Sequence, residues 1–133
     1  MKAMTVRFRV DLGAGRGIGP GKIALLEAIA DSGSLSSAAR ALGMSYRRAW
    51  QLLASLNSGF KEPVATAARG GRGGGGATLT PFGRELVRAY RAFDAELQRR
   101  AARSFVRIAH AVKETGTTSP AARGRSLRRR LRT

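Results

Sequence analysis

The residues best suited to chemistry are Arg47, Arg48 and Gln51, which follow Ser45 and Tyr46 at the start of a segment with helical spacing. A guanidinium group is a rigid fork of donors that matches O6 and N7 of guanine, and a carboxamide matches N6 and N7 of adenine. Ser45, Tyr46 and the helix N-terminus behind them suit contacts to phosphate oxygens. Two neighbouring arginines taken alone can equally be a solvated helix face, and Tyr46 fits packing as well as it fits a polyanion. Further along, Arg69 and Arg72 stand on the run Gly70 to Gly76. Glycine lets backbone approach a sugar-phosphate wall without a clash, and arginine brings charge into a narrow minor groove. The bland alternative for this run is a linker that contains arginine.

The flanking sequence supplies the elements needed to aim these side chains. Pro20 suits a first helical turn, and Ile23, Leu25, Leu26, Ile29 and Ala30 give helix one an apolar stripe that ends at Asp31-Ser32-Gly33. Ser34 caps helix two, about 35–42, whose Leu35, Ala38, Ala39 and Leu42 keep helical spacing. Gly43 fits the left-handed position that stops a helix, and Met44 fills the corner. Ser45 caps helix three, about 46–58, with Ala49, Leu52, Leu53 and Leu56 toward the core and Tyr46, Arg47, Arg48 and Gln51 outward. Trp50, in mid-helix, is assigned to packing. Val64–Ala68 and Ala77–Leu79 read as the two strands of a hairpin with the glycine run at its tip. Thr80 caps a fourth helix with Pro81 at its first position, and an apolar stripe from Phe82 through Leu86, Tyr90, Phe93, Leu97, Ala101, Phe105 and Ile108 to Val112 follows. One small domain cannot cover a stripe that long, so Leu86, Tyr90, Phe93 and Leu97 are expected to form a dimer contact, with a possible break near 101–104.

At the N-terminus Val6, Phe8, Val10 and Leu12 alternate with polar residues, the pattern of a half-exposed antiparallel strand. Gly13, Gly17 and Gly19 after it match the G-x-x-x-G-x-G spacing of short-chain dehydrogenases. Dinucleotide binding is nevertheless set aside. A central parallel strand would be continuously apolar, no further strand–helix units follow, and Pro20-Gly21 interrupts the required helix. Gly21-Lys22 lacks both the first glycine and the Ser/Thr of a phosphate loop. Glu27, Asp31, Glu85, Asp94 and Glu96 are scattered singly, so no catalytic constellation is visible and an enzyme is not expected. With no cysteine and the single His110, no metal cluster or cofactor is expected. No apolar run is long enough for a membrane span and no signal core is present, which makes a cytoplasmic protein the expectation. The formal net charge is +17, and Arg123, Arg125, Arg128, Arg129, Arg130 and Arg132 place six of those charges in the C-terminal tail. Such a field attracts polyanions. The segment 115–133 is expected to be a disordered basic tail.

GSLSSAARALGMSYRRAW (33–50), ARGGRGGGGATLT (68–80) and PFGRELV (81–87) together resemble the N-terminal DNA-binding domain of ModE-type molybdate-responsive regulators, relatives of the LysR-type winged helices. The resemblance runs from about Ile18 to Leu97. It implies a mainly α fold with a small β-wing, namely a winged helix-turn-helix plus a long C-terminal dimerisation helix, with the N-terminal strand pairing near the wing. It also implies a transcriptional regulator that binds double-stranded DNA as a homodimer, with Ser45, Tyr46, Arg47 and Arg48 in the recognition role and Arg72 in the wing role. Ser34, Gln51 and Arg69 complete the expected DNA-binding set. The expected organisation is a DNA-binding domain over 1–97, a continuation of the dimerisation helix over 98–114 and the tail over 115–133. No molybdate-binding domain is expected in the chain, so ion sensing would fall to a separate oxyanion-sensing partner. The rival readings are a nonspecific architectural DNA- or RNA-binding protein and a nucleotide-using enzyme.

Overall fold

The computed structural model describes residues 4–14, 16–67 and 76–113. Two short strands, β1 (Val10–Asp11) and β2 (Gly17–Ile18), precede three helices: α1 (Pro20–Ser32), α2 (Leu35–Ala41) and α3 (Tyr46–Gly59). An antiparallel hairpin, β3 (Ala65–Ala67) and β4 (Ala77–Leu79), leads into α4 (Pro81–Ser104) and α5 (Val106–Ala111). This is the mainly helical, small-wing architecture expected from the sequence.

Local chemistry sets the helix boundaries. The Ser34, Ser45 and Thr80 hydroxyls each accept from the backbone N–H three residues on, at Ser37, Arg48 and Gly83. Each thereby satisfies one of the donors a helix start leaves open. Gly43 takes φ +66°, which turns the chain sharply between α2 and α3 where a Cβ would be strained. Ala38 and Ala39 are fully or almost fully buried, and their small side chains let α2 lie close to its neighbours.

The main core joins Leu25, Leu26 and Ile29 of α1 to Leu35 of α2, Leu53 and Leu56 of α3, and the hairpin residues Val64 and Leu79. Burying side chains of this size contributes about 1.5–3 kcal/mol each, so the helices and the base of the wing stand or fall together. Ala30, assigned to the stripe of helix one, is exposed instead. Wing strands β3 and β4 pair in the register Ala65↔Leu79, Thr66↔Thr78, Ala67↔Ala77. A bridge from Ser34 to Gly76 adds the start of α2 to this sheet, and the Ala77 N–H donates to the Gly33 carbonyl at 2.8 Å.

The N-terminal segment departs from expectation. Instead of a strand through residues 6–12, only Val10 and Asp11 pair, with Ile18 and Gly17. Among the described residues the segment does not pair with the wing strands but runs along α4. Its apolar face packs on helix side chains: Phe8 stacks on Tyr90 with ring centroids 4.6 Å apart and meets Phe93 edge-on at 5.2 Å. Gln98 takes the place of a neighbouring strand, accepting from the Val6 N–H at 2.9 Å and donating to the Val6 carbonyl at 2.8 Å. The Tyr90 hydroxyl donates to the Phe8 carbonyl at 3.1 Å, and burial raises its pKa. Of the glycines with dinucleotide-like spacing, Gly13 lies between β1 and β2, Gly17 lies in β2 and Gly19 follows it, and the Leu12 N–H donates to the Arg16 carbonyl at 2.7 Å.

Two features of the long helix bear on the expected dimer contact. It stops at Ser104, Phe105 leaves helical geometry, and α5 continues separately. Leu86 and Tyr90 are covered by their own chain, Leu86 against both core clusters and Tyr90 in the cluster of Ile18 and Ile23. The exposed part of the stripe is Phe93, Phe105, Ile108 and Val112, with Leu97 half-buried, and Val106 is exposed beside it. Across the α1–α4 contact, Arg91 reaches Glu27 through Nε at 2.9 Å and through a second, shorter bond, and also reaches Asp94 at 3.3 Å. The hydrogen bonds to Glu27 hold Arg91 above its ordinary pKa. Such an exposed pair adds little stability but fixes the facing of the two helices.

Candidate nucleic-acid interface

α3 is held by one face and free on the other. Ala49, Leu53 and Leu56 are buried, while Tyr46, Arg47, Arg48 and Gln51 are exposed. Helical spacing places the latter on the first two turns, the part of a second helix-turn-helix element that reaches base edges. Arg47 and Arg48 pair with no carboxylate among the described residues, so their donors stand ready for an anionic or polar partner. Tyr46 lies over Trp50, one turn on, with centroids 6.2 Å apart and planes at 22°. Trp50 itself is half-buried against the core, the packing role the sequence assigned to it. Tyr46 therefore presents its ring from a fixed backing.

Ser45 anchors this arrangement, since its hydroxyl accepts from the Arg48 N–H at 3.1 Å. Ser45→Ala is expected to lower the stability of the domain by about 1 kcal/mol, read from the midpoint of chemical denaturation. An unchanged midpoint would show that the cap contributes nothing. Ser34 is half-buried, and its hydroxyl is engaged with the Ser37 N–H at 3.1 Å and the Ser37 hydroxyl at 3.3 Å. Its place is the junction of α2 with the wing. Arg69 and Arg72 lie outside the described residues. Strands β3 and β4 form the hairpin base from which their segment departs.

Asn57 was not singled out from the sequence. On α3 it sits four residues beyond Leu53 and beside Leu56, so it is a polar residue at the edge of the buried stripe. Its side chain accepts from the Val64 N–H at 2.8 Å and donates to the Ala65 carbonyl at 3.0 Å, tying α3 to the first wing strand. A polar side chain at an apolar-stripe position is the signal that could have found it.

Among the described residues, no group of three or more His, Cys, Asp or Glu could hold a metal ion. No described helix is long and apolar enough to cross a membrane.

Residues 21–84 match the family described as bacterial regulatory helix-turn-helix protein, lysR family. The molybdenum-pterin-binding protein MopB of Rhodobacter capsulatus is 48% identical over 81 residues, which cover 61% of this chain and 30% of that protein. The molybdenum transport protein ModE of Azotobacter vinelandii is 39% identical over 92 residues, covering 69% of this chain and 34% of its own. The DNA-binding transcriptional dual regulator ModE of Escherichia coli (strain K12) is 42% identical over 71 residues, covering 53% and 27%. The chain thus spans about a third of the length of the curated relatives it matches. The matched segment contains α1, the capped α2–α3 pair, the wing strands and the start of α4, and over this segment the chain is similar to the lysR-family regulatory helix-turn-helix and to the corresponding parts of the ModE and Mop proteins.

Proposed function

We propose that the chain is a transcriptional regulator that reads a specific double-stranded DNA sequence through α3. The observation that carries this reading is the split of α3: its buried face is locked into the core, and Tyr46, Arg47, Arg48 and Gln51 stand exposed and unopposed by acid on its leading turns. In this reading Arg47 and Arg48 pair with guanine edges, Gln51 with adenine, and Ser45 and Tyr46 with the adjoining phosphates. Arg69 and Arg72 supply backbone or minor-groove contacts from the wing, and Ser34 supports them from the start of α2. The DNA-binding unit extends over 1–97, with the end of α4 and α5 extending the dimer contact and 115–133 adding sequence-independent charge.

A homodimer completes the proposal. With Leu86 and Tyr90 covered by their own chain, its contact falls to Phe93, Leu97 and the apolar residues of α5. Two α3 helices would then enter successive major grooves about 34 Å apart, which requires a pseudo-palindromic site. Because relatives carry molybdenum in their names, promoters of molybdenum-handling genes are the first to test, and a separate oxyanion-sensing protein is the proposed source of the signal.

Selection of bound sequences from a random duplex pool is the direct test. The expected result is an inverted repeat with half-sites one helical turn apart, bound 10³-fold or more tighter than random duplex at physiological salt, on the order seen for specific readers. Retention of the whole pool without enrichment would overturn the reading in favour of a nonspecific architectural protein.

A further inference from the structure

We propose that Asn57 is a positioning residue for DNA recognition: its carboxamide sets the angle between the recognition helix and the wing. The inference rests on the DNA-reading proposal above. Asn57 lies near the end of α3 and grips the backbone of the strand that leads into the wing. Its Oδ1 accepts from the Val64 N–H at 2.8 Å and from the Ala65 N–H at 3.4 Å, and its Nδ2 donates to the Ala65 carbonyl at 3.0 Å. A planar amide bonded at both ends fixes orientation as well as distance, which apolar packing does not.

The same short segment is held from its other side. The Thr80 N–H donates to the Val64 carbonyl at 3.0 Å, and the Thr80 hydroxyl lies 2.6 Å from the Pro63 carbonyl and 3.2 Å from that of Val64. Pro63 to Ala65 is therefore clamped between α3 and the start of α4, and β3 runs from Ala65 to Ala67, ahead of the glycine-rich sequence. A groove of about 370 Å³ runs along the clamp, lined by Trp50, Ala54 and Asn57 of α3 and by Pro63, Ala65 and Thr66 on the strand side. The amide is the hold of α3 on the base of this strand, while β4 is held at the α1–α2 turn by the Ala77–Gly33 bond.

The consequence is a coupling between an uncharged residue and the charges of the wing. In the full chain, the selected operator is titrated at several salt concentrations with four proteins: unaltered, Asn57→Ala, the pair Arg69→Ala/Arg72→Ala, and all three changes together. The arginine pair is expected to lower the slope of log affinity against log salt by about 2. Asn57→Ala removes no charge, yet it is expected to lower the slope by most of the same amount, and the triple variant should bind no more weakly than the arginine pair. A loss of overall stability would not produce that slope change. Trp50, the single tryptophan, borders the groove, so its emission in the free protein should shift to the red when the amide is removed. If Asn57→Ala does not fold, Asn57→Ser, uncharged and too short to bridge Val64 and Ala65 together, takes its place, and the same slope change is expected. An unchanged salt slope, or losses that multiply in the triple variant, overturns the inference alone. Full affinity in the arginine pair overturns the wing's part in DNA binding and the inference with it.

Discussion

Arg47→Ala and Arg48→Ala are each expected to weaken binding of the selected operator by about 1–3 kcal/mol, a loss of roughly 5- to 150-fold. The size follows from the site. Each guanidinium is exposed on the leading turns of a helix whose opposite face is fixed by Ala49, Leu53 and Leu56, so no rearrangement can bring a substitute donor to the same base edge. The loss should be confined to sequence. Random duplex should be bound nearly as before, and the base preference should relax at one position per half-site. Arg72→Ala offers the contrast, because a backbone contact weakens all duplexes alike and lowers the salt slope by about 1. Equal, sequence-blind losses from all three changes would refute base readout by α3.

Gly83→Ala is the second large effect, and it acts on stability. Inside a helix this change ordinarily gains about 1 kcal/mol from propensity. Here the new Cβ would overlap the Val64 carbonyl oxygen and lie 2.9 Å from the carbonyl carbon. That carbonyl cannot swing aside, because the Thr80 N–H and hydroxyl hold it. Overpacking against fixed backbone costs about 1–3 kcal/mol and occasionally more, and here it should exceed the propensity gain. A net loss of about 2 kcal/mol corresponds to a fall in melting temperature on the order of 8–16 °C for a domain of this size. A rise in melting temperature, the outcome of propensity alone, would show that the wing base yields easily.

These two predictions differ in how far the sequence exposes them. Arg47 and Arg48 were legible because caps and periodicity act within a few residues: Ser34, Ser45 and Thr80 each bond three residues onward, and Gly43 marks its own turn. Asn57 showed only as a polar residue at the edge of a buried stripe, and Gln98 was not legible. Their partners are backbone groups eight and 92 residues away in the chain, and such contacts leave no periodic trace. Alternation at Val6 and Phe8 gave the correct apolar face but could not distinguish a strand neighbour from a helix carrying a glutamine. The stripe of α4 likewise identified which side is apolar. It did not reveal that Phe8, Ile18 and Ile23 already cover Tyr90.

The grip of Gln98 on Val6 also fixes an order of events in time. The contacts of α1, α2 and α3 join near neighbours in the chain and can form early. Val6 must wait for α4, because Gln98 lies 92 positions further along the chain. At ordinary synthesis rates that wait is about 5–20 s. During most of it Phe8 has no tyrosine to stack on, so the nascent chain carries an unsheltered aromatic until α4 has been translated.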